Sequence, residues 1–242
     1  MGIAVTGTLM CVPTPISVGR APRADLAPGV IDRVASVDYV IAENAKTARA
    51  FLKQLPLTRP LQSIQIVELD LRTPDSAIEP MLAPLHGGRD AALVSEAGCP
   101  GVADPGARLV LAAHRAGIAV MPMVGPSALL LALMGSGLNG QCFAFCGYLP
   151  TEGDARRLRL QALEDRSRRG DETQLFIETP YRNQVLFEAL IATLAPTTWL
   201  CVASDLTGPQ QALHTDRVAS WRRLAPTLPR VPTVFLFLAG KR

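Results

Sequence analysis

Two short stretches of this sequence carry residue types that could do chemistry together. The first is residues 91–106, AALVSEAGCPGVADPG, where Glu96 and Asp104 stand among Gly98, Gly101 and Gly106. Carboxylates can take a proton from a reacting group, and glycines let a backbone approach a ligand closely. The second is residues 178–182, ETPYR. There Glu178 could serve as a base, and Arg182 could grip a phosphate or carboxylate with its forked guanidinium. Glu43, just after the apolar run YVIA, is a third acid of the same kind. Each has a plainer reading. The acids of the first stretch would suit a solvated turn, and Glu178 would suit a helix N-terminus, whose dipole welcomes negative charge.

The surrounding elements favour a ligand site. The apolar run 91–94 reads as a strand, residues 95–106 as a turn-rich loop, and residues 107–116 as a helix closed by Gly117. In open α/β sheets, ligands bind outside the carboxyl ends of strands, where such loops lie. Upstream, strands are expected at 8–12, 39–42 and 64–69, with helices at 29–36, 46–55 and 76–85. The first strand must stop at Pro13-Thr14-Pro15, since proline donates nothing to a sheet. A short strand at 118–121 completes a βα alternation, which predicts a largely parallel, doubly wound sheet.

A joint is expected near Val124-Gly125-Pro126, giving α/β domains over 1–123 and 124–242. The second half reads as a helix at 127–134 with Ser127 as its cap. Strands then follow at 143–146, 173–177, 199–203 and 234–238, helices at 154–169 and 183–194, and a small hairpin arm at 211–214.

Other motifs carry less. Residues 135–140, GSGLNG, match G-x-G-x-x-G but follow a helix and precede a strand, the reverse of a dinucleotide loop. They read as a helix stop. Cys142 and Cys146, four apart, read as one buried strand face. Cys99 has no histidine placed beside it by any sequence feature, and buried inert cysteine is the common case. The arginines at 156, 157, 159, 166, 168 and 169 form a solvated helix face or a phosphate-contacting one. Five cysteines, an odd number in a chain of 242 residues, do not suggest a disulfide framework. Three histidines without ligand spacing suggest no metal site. The net charge of +3 permits a nucleic-acid partner without demanding one. No signal-peptide layout and no apolar run of membrane-spanning length is evident, so a cytoplasmic protein is expected.

Five matches in order, VPTPI (12–16), SEAGCPGVADPG (95–106), GPSA (125–128), GYLP (147–150) and ETPYR (178–182), resemble the tetrapyrrole methylase superfamily. These are the class III S-adenosylmethionine-dependent methyltransferases. Within it the chain is most similar to the group that methylates a ribose 2′-hydroxyl of 16S rRNA. It departs from that group at Ser17-Val18, at Glu43-Asn44-Ala45-Lys46 and at Glu96 and Cys99, and it is shorter, as a divergent branch would be.

The resemblance implies two α/β domains with the cofactor cleft between them, and a homodimer. It implies S-adenosyl-L-methionine contacts at Pro13, Ser95, Ala97, Gly98, Asp104, Gly125, Pro126, Ser127, Ala128, Tyr148 and Leu149, and at Ala203 near a second-half strand end. With an RNA acceptor (rRNA or the 30S subunit), Glu178 and Glu96 become candidate bases, with Glu43 third, and Arg182 a substrate contact. Asp104 is expected to brace the loop. Two alternatives stay open: a methylase of a tetrapyrrole or other small molecule, and a non-catalytic cofactor- or RNA-binding module.

Overall fold

In a computed structural model, which describes residues 6–240, the chain divides into two units, residues 1–127 and 128–242. The outermost residues of the two expected domains, 1–5 and 241–242, lie outside the described residues. The boundary falls at Ser127, four residues beyond the expected joint at 123. The reason is local: Gly125 lies against the Pro13 ring, and the Cys99 thiol donates to the Pro126 carbonyl at 3.4 Å, so 124–127 stay with the first unit.

The first unit is a five-stranded parallel sheet. Its strands are β1 (Thr8–Val12), β2 (Tyr39–Ala42), β3 (Gln65–Glu68), β4 (Ala91–Val94) and β5 (Ala119–Pro122), in the spatial order β3-β2-β4-β1-β5. The helices are α1 (Pro28–Ala35), α2 (Ala45–Leu52), α3 (Ile78–His86) and α4 (Gly106–Arg115). Alternate residues of each strand face opposite ways, and the core follows that alternation. Met10, Val12, Val40, Ala42, Ala92 and Val94 pack with α1 and α2. Leu9, Cys11, Tyr39, Ile41, Ala91 and Leu93 pack with α3 and α4. Strands buried on both faces must be largely apolar, which is why YVIA and AALV carry no charge and the one buried hydroxyl, Tyr39's, donates to Met81 O.

Parallel pairing of β1 with β4 matters most for function. The chain leaves β1 toward α1 on one face and leaves β4 toward α4 on the other. Adjacent strands whose loops depart to opposite faces form a topological switch point, the place where open α/β sheets take ligands.

The second unit is a mixed sheet. Its strands are β6 (Phe143–Phe145), β7 (Thr173–Glu178), β8 (Trp199–Ser204), β9 (Ala212–Arg217) and β10 (Thr233–Leu238), ordered β6-β7-β10-β8-β9. Only the β6–β7 pair is parallel. Helices α5 (Ala128–Ser136), α6 (Gly153–Gly170), α7 (Asn183–Thr193) and α8 (Val218–Leu224) complete it. Its aromatic core joins Phe176, Phe187, Trp221, Phe235 and Phe237.

Three expectations need correcting here. The small arm at 211–214 is the full strand β9, paired antiparallel along β8 from Ala212 to Arg217. Helix α8 had no expected counterpart. It is short, and its buried residues are only Val218 and Trp221, three residues apart. Cys142 and Cys146 flank β6 rather than share its face, and both are half-buried.

Candidate active site

At the switch point the loops after β1 and β4 are tied together. Thr14 and Gly98 exchange backbone hydrogen bonds, Thr14 N–H to Gly98 O at 2.9 Å and Gly98 N–H to Thr14 O at 3.1 Å. The Ser95 hydroxyl donates to the same Gly98 carbonyl at 3.1 Å. Gly98 has φ +77°, the left-handed region in which a side chain is strained. A Cβ at Gly125 would fall 2.3 Å from Pro13 Cβ, so only glycine allows the backbone to cross there. Pro13, Ser95, Ala97, Gly98, Gly125, Pro126 and Ser127 are thus gathered in one unit around the carboxyl ends of β1 and β4.

Asp104 braces this loop, as expected. Its Oδ1 accepts from the Gly101 and Gly106 amides, both at 2.7 Å, and so fixes the entry to α4. Its Oδ2 is buried without a hydrogen-bond partner. Burial pushes the Asp104 carboxyl above its ordinary range, against the pull of those two amides. Glu43 behaves alike. Burial first, then the charges of Glu96 and Asp104, raise its carboxyl, against the pull of the Glu96 backbone amide. Glu96 itself is exposed.

A cavity of about 210 Å³ adjoins these loops, lined by residues 14–20, the outer face of α2 and residues 94–97. Its one cation, Arg20, is paired with Asp25 at 2.7 Å. The cavity is large enough for part of a ligand whose whole site would need roughly 300 Å³ or more.

The second unit places its candidates differently. Glu178 ends β7 and is 8% exposed. Its Oε1 accepts from the Thr179 amide at 2.8 Å, and its Oε2 meets Arg182 Nη2 at 3.2 Å. Tyr148 is exposed, whereas Leu149 belongs to the core. Ala203 lies within β8, between Val234 and Leu213, with its side chain buried. Ala128 opens α5.

Several other sequence features resolve as structure. GSGLNG stops α5: Gly137 has φ +70°, and the Ser136 hydroxyl donates to Leu133 O at 2.8 Å. The thiols of Cys11 and Cys99 are pushed up mainly by burial, which makes them poor nucleophiles. On α6, Arg157, Arg166 and Arg168 are engaged by Asp154, Glu172 and the Glu164–Asp165 pair, and Arg156 donates to the Thr151 carbonyl. Sequence reasoning passed over Arg230, whose guanidinium carbon lies 5.9 Å from the Tyr181 ring centre. A lone arginine in a loop after α8 offers no pattern. Among the described residues no helix is long and apolar enough to cross a membrane.

Comparison with known proteins shows the family and the fold. A family model described as Tetrapyrrole (Corrin/Porphyrin) Methylases matches residues 15–220. A Ribosomal RNA small subunit methyltransferase I from Escherichia coli O157:H7 is 31% identical, over 86% of this chain and 68% of its own length. Proteins of the same name from Synechocystis sp. and Xylella fastidiosa are 34% and 36% identical, over 83% and 85% of this chain and 67% and 70% of theirs. Among solved structures, the methyltransferase CobJ superposes with a TM-score of 0.61 at 20% identity, covering 97% of this chain and 94% of that one. A uroporphyrin-III-C-methyltransferase from Thermus thermophilus gives 0.55 at 21%, covering 96% and 92%. At such identities the two structures speak for the fold alone.

Proposed function

The chain belongs to the tetrapyrrole (corrin/porphyrin) methylase family, whose methyl donor is S-adenosyl-L-methionine, and on that premise we propose that it methylates a ribose 2′-hydroxyl of small-subunit rRNA. The observation that carries the acceptor is the likeness to the small-subunit rRNA methyltransferases over more than four fifths of the chain.

In this reading Ser95, Ala97 and Gly125–Ser127 hold the donor through backbone groups, Gly98 sets the turn that brings the loop close to it, and Pro13 supplies an apolar wall. The bound donor brings a methyl group already activated on a sulfonium, so the protein's task is alignment of the acceptor and removal of its proton. Glu43 is assigned to that proton, because burial and its acidic neighbours raise its pKa and make its carboxylate the stronger base. Glu178 is a positioning residue. Both of its oxygens are engaged, and it fixes Arg182 for contact with an acceptor phosphate. Asp104 shapes the loop.

The test is methyl transfer from tritiated S-adenosyl-L-methionine to 30S subunits prepared from a strain lacking the gene. The proposal expects label in 16S rRNA, recovered as a 2′-O-methylated nucleoside. Tight binding of the donor with no label in rRNA would refute it.

A further inference from the structure

The corner after β7 contains more than the Glu178–Arg182 pair. Residues Pro180–Arg182 form a single tight turn, closed by the Arg182 amide donating to Thr179 O at 2.9 Å. That turn holds Tyr181 outward, 79% exposed. The loop that follows α8 is stitched to the same corner. Asn183 Nδ2 donates to Val231 O at 2.8 Å and to Thr233 Oγ1 at 3.1 Å, and the Leu228 amide donates to Gln184 Oε1 at 2.8 Å. Arg230 is therefore held near the tyrosine, its guanidinium 5.9 Å from the ring. It makes no ion pair among the described residues, and Arg182 is oriented by a carboxylate that is itself buried. Folding does not need this: the exposed ring adds nothing to the aromatic core around Phe176 and Trp221.

An exposed aromatic ring on a rigid turn, with the Arg230 guanidinium over one face and Arg182 following it in the chain, is an arrangement that binds single-stranded nucleic acid by its other face. The ring takes a base face by stacking, and the cations take the backbone. A base inside a duplex has both faces covered and cannot use such a ring. We infer that Tyr181, Arg182 and Arg230 form a platform for one unpaired RNA nucleotide, Tyr181 stacking on the base and the two arginines contacting the flanking phosphates. The inference rests on the RNA reading of the acceptor and narrows it to an unpaired segment.

The experiment uses the full chain and a fluorescein-labelled oligocytidylate, with a duplex of equal length as comparison. The wild-type protein should bind the single strand more tightly than the duplex. Tyr181→Ala should weaken that binding about tenfold, Tyr181→Trp should keep it, and Arg230→Ala should lower the salt dependence by about one phosphate contact. Unchanged calorimetric affinity of Tyr181→Ala for S-adenosyl-L-methionine shows that the variant is folded. Wild-type affinity of Tyr181→Ala for the oligonucleotide overturns the inference, as does equal binding of duplex. A loss seen only with whole 30S particles also overturns it and assigns the surface to a protein partner. If the wild type methylates 30S subunits while Tyr181→Ala binds the single strand normally, the platform fails and the proposed function stands. If no rRNA is labelled, the function fails, and the platform is still judged on binding.

Discussion

The carboxyl edge of the first sheet and the corner after β7 each present acids beside a turn, yet they treat those acids in opposite ways. At the first edge Asp104 and Glu43 are partly buried without a cation, and their carboxyls are pushed above the ordinary range. At the second, Glu178 is more deeply buried but meets Arg182 and a backbone amide. A buried carboxylate with a paired cation is a structural anchor. One with only amides and other acids for neighbours is poised to hold or take a proton. In the proposed reading Glu43 takes the proton, while Asp104 is held by the loop amides of Gly101 and Gly106.

The sharpest way to break this contrast is Asp104→Ala. Two amide bonds to a carboxylate contribute about 1.5–3 kcal/mol each. The variant should lose about 3 kcal/mol by denaturant unfolding, if the two share part of that contribution, and lose donor affinity with it. If stability is unchanged, Asp104 does not brace the loop.

Next in size is Arg182→Ala. It should raise KM for 30S subunits about tenfold, leave kcat nearly unchanged, and leave donor affinity as it is. Glu178→Gln should follow the same pattern more weakly, since it frees the guanidinium without removing it. A fall in kcat that dominates KM in Glu178→Gln would make Glu178 the base and reverse the assignment.

Glu43→Gln sharpens the contrast through pH. The folded pKa of Glu43 lies above its unfolded value. Its contribution to stability is therefore fully present below the unfolded value of about 4.3, and is lost as pH rises through the folded value. Thermal unfolding should show the glutamine variant gaining on the wild type as pH rises from 4 toward neutrality. The acid limb of the transfer rate should also disappear in the variant. Parallel unfolding curves for the two proteins would remove Glu43 from this role.

The smallest effect belongs to α6. The Arg157–Asp154 pair is exposed on both sides, so Arg157→Ala should change stability by less than about 1 kcal/mol. A larger loss by urea unfolding would show that the helix surface is more than solvated charge.

The first unit was largely legible in the sequence because buried parallel strands read as unbroken apolar runs, bounded by Pro13-Thr14-Pro15, Ser95 and Gly98. The second was less so. Its antiparallel strand β9, ALHTDR, alternates too weakly to reveal its length, and α8 is barely two turns long. Within the site, the loop residues could be found from their glycines and acids, and the bracing role of Asp104 from its place before α4. The state of Glu178 could not. Whether a carboxylate four residues before an arginine meets it depends on the turn at Pro180, which sequence spacing does not fix. The nearness of Arg230 to Tyr181 is a contact across 49 positions and leaves no local trace.

The central claim is that the donor is held at the switch point of the first sheet and the acceptor at the corner after β7. It is tested most directly by calorimetric titration of S-adenosyl-L-methionine into the wild type, Gly98→Val and Arg182→Ala side by side. Gly98 has φ +77°, where a β-branched residue is strained, and a Cβ there would lie 3.4 Å from Ile16 Cγ2, so valine should distort the loop and cost at least about tenfold in affinity. The account predicts that loss for Gly98→Val and wild-type affinity for Arg182→Ala. Equal losses in both variants, or no binding by the wild type, would contradict it.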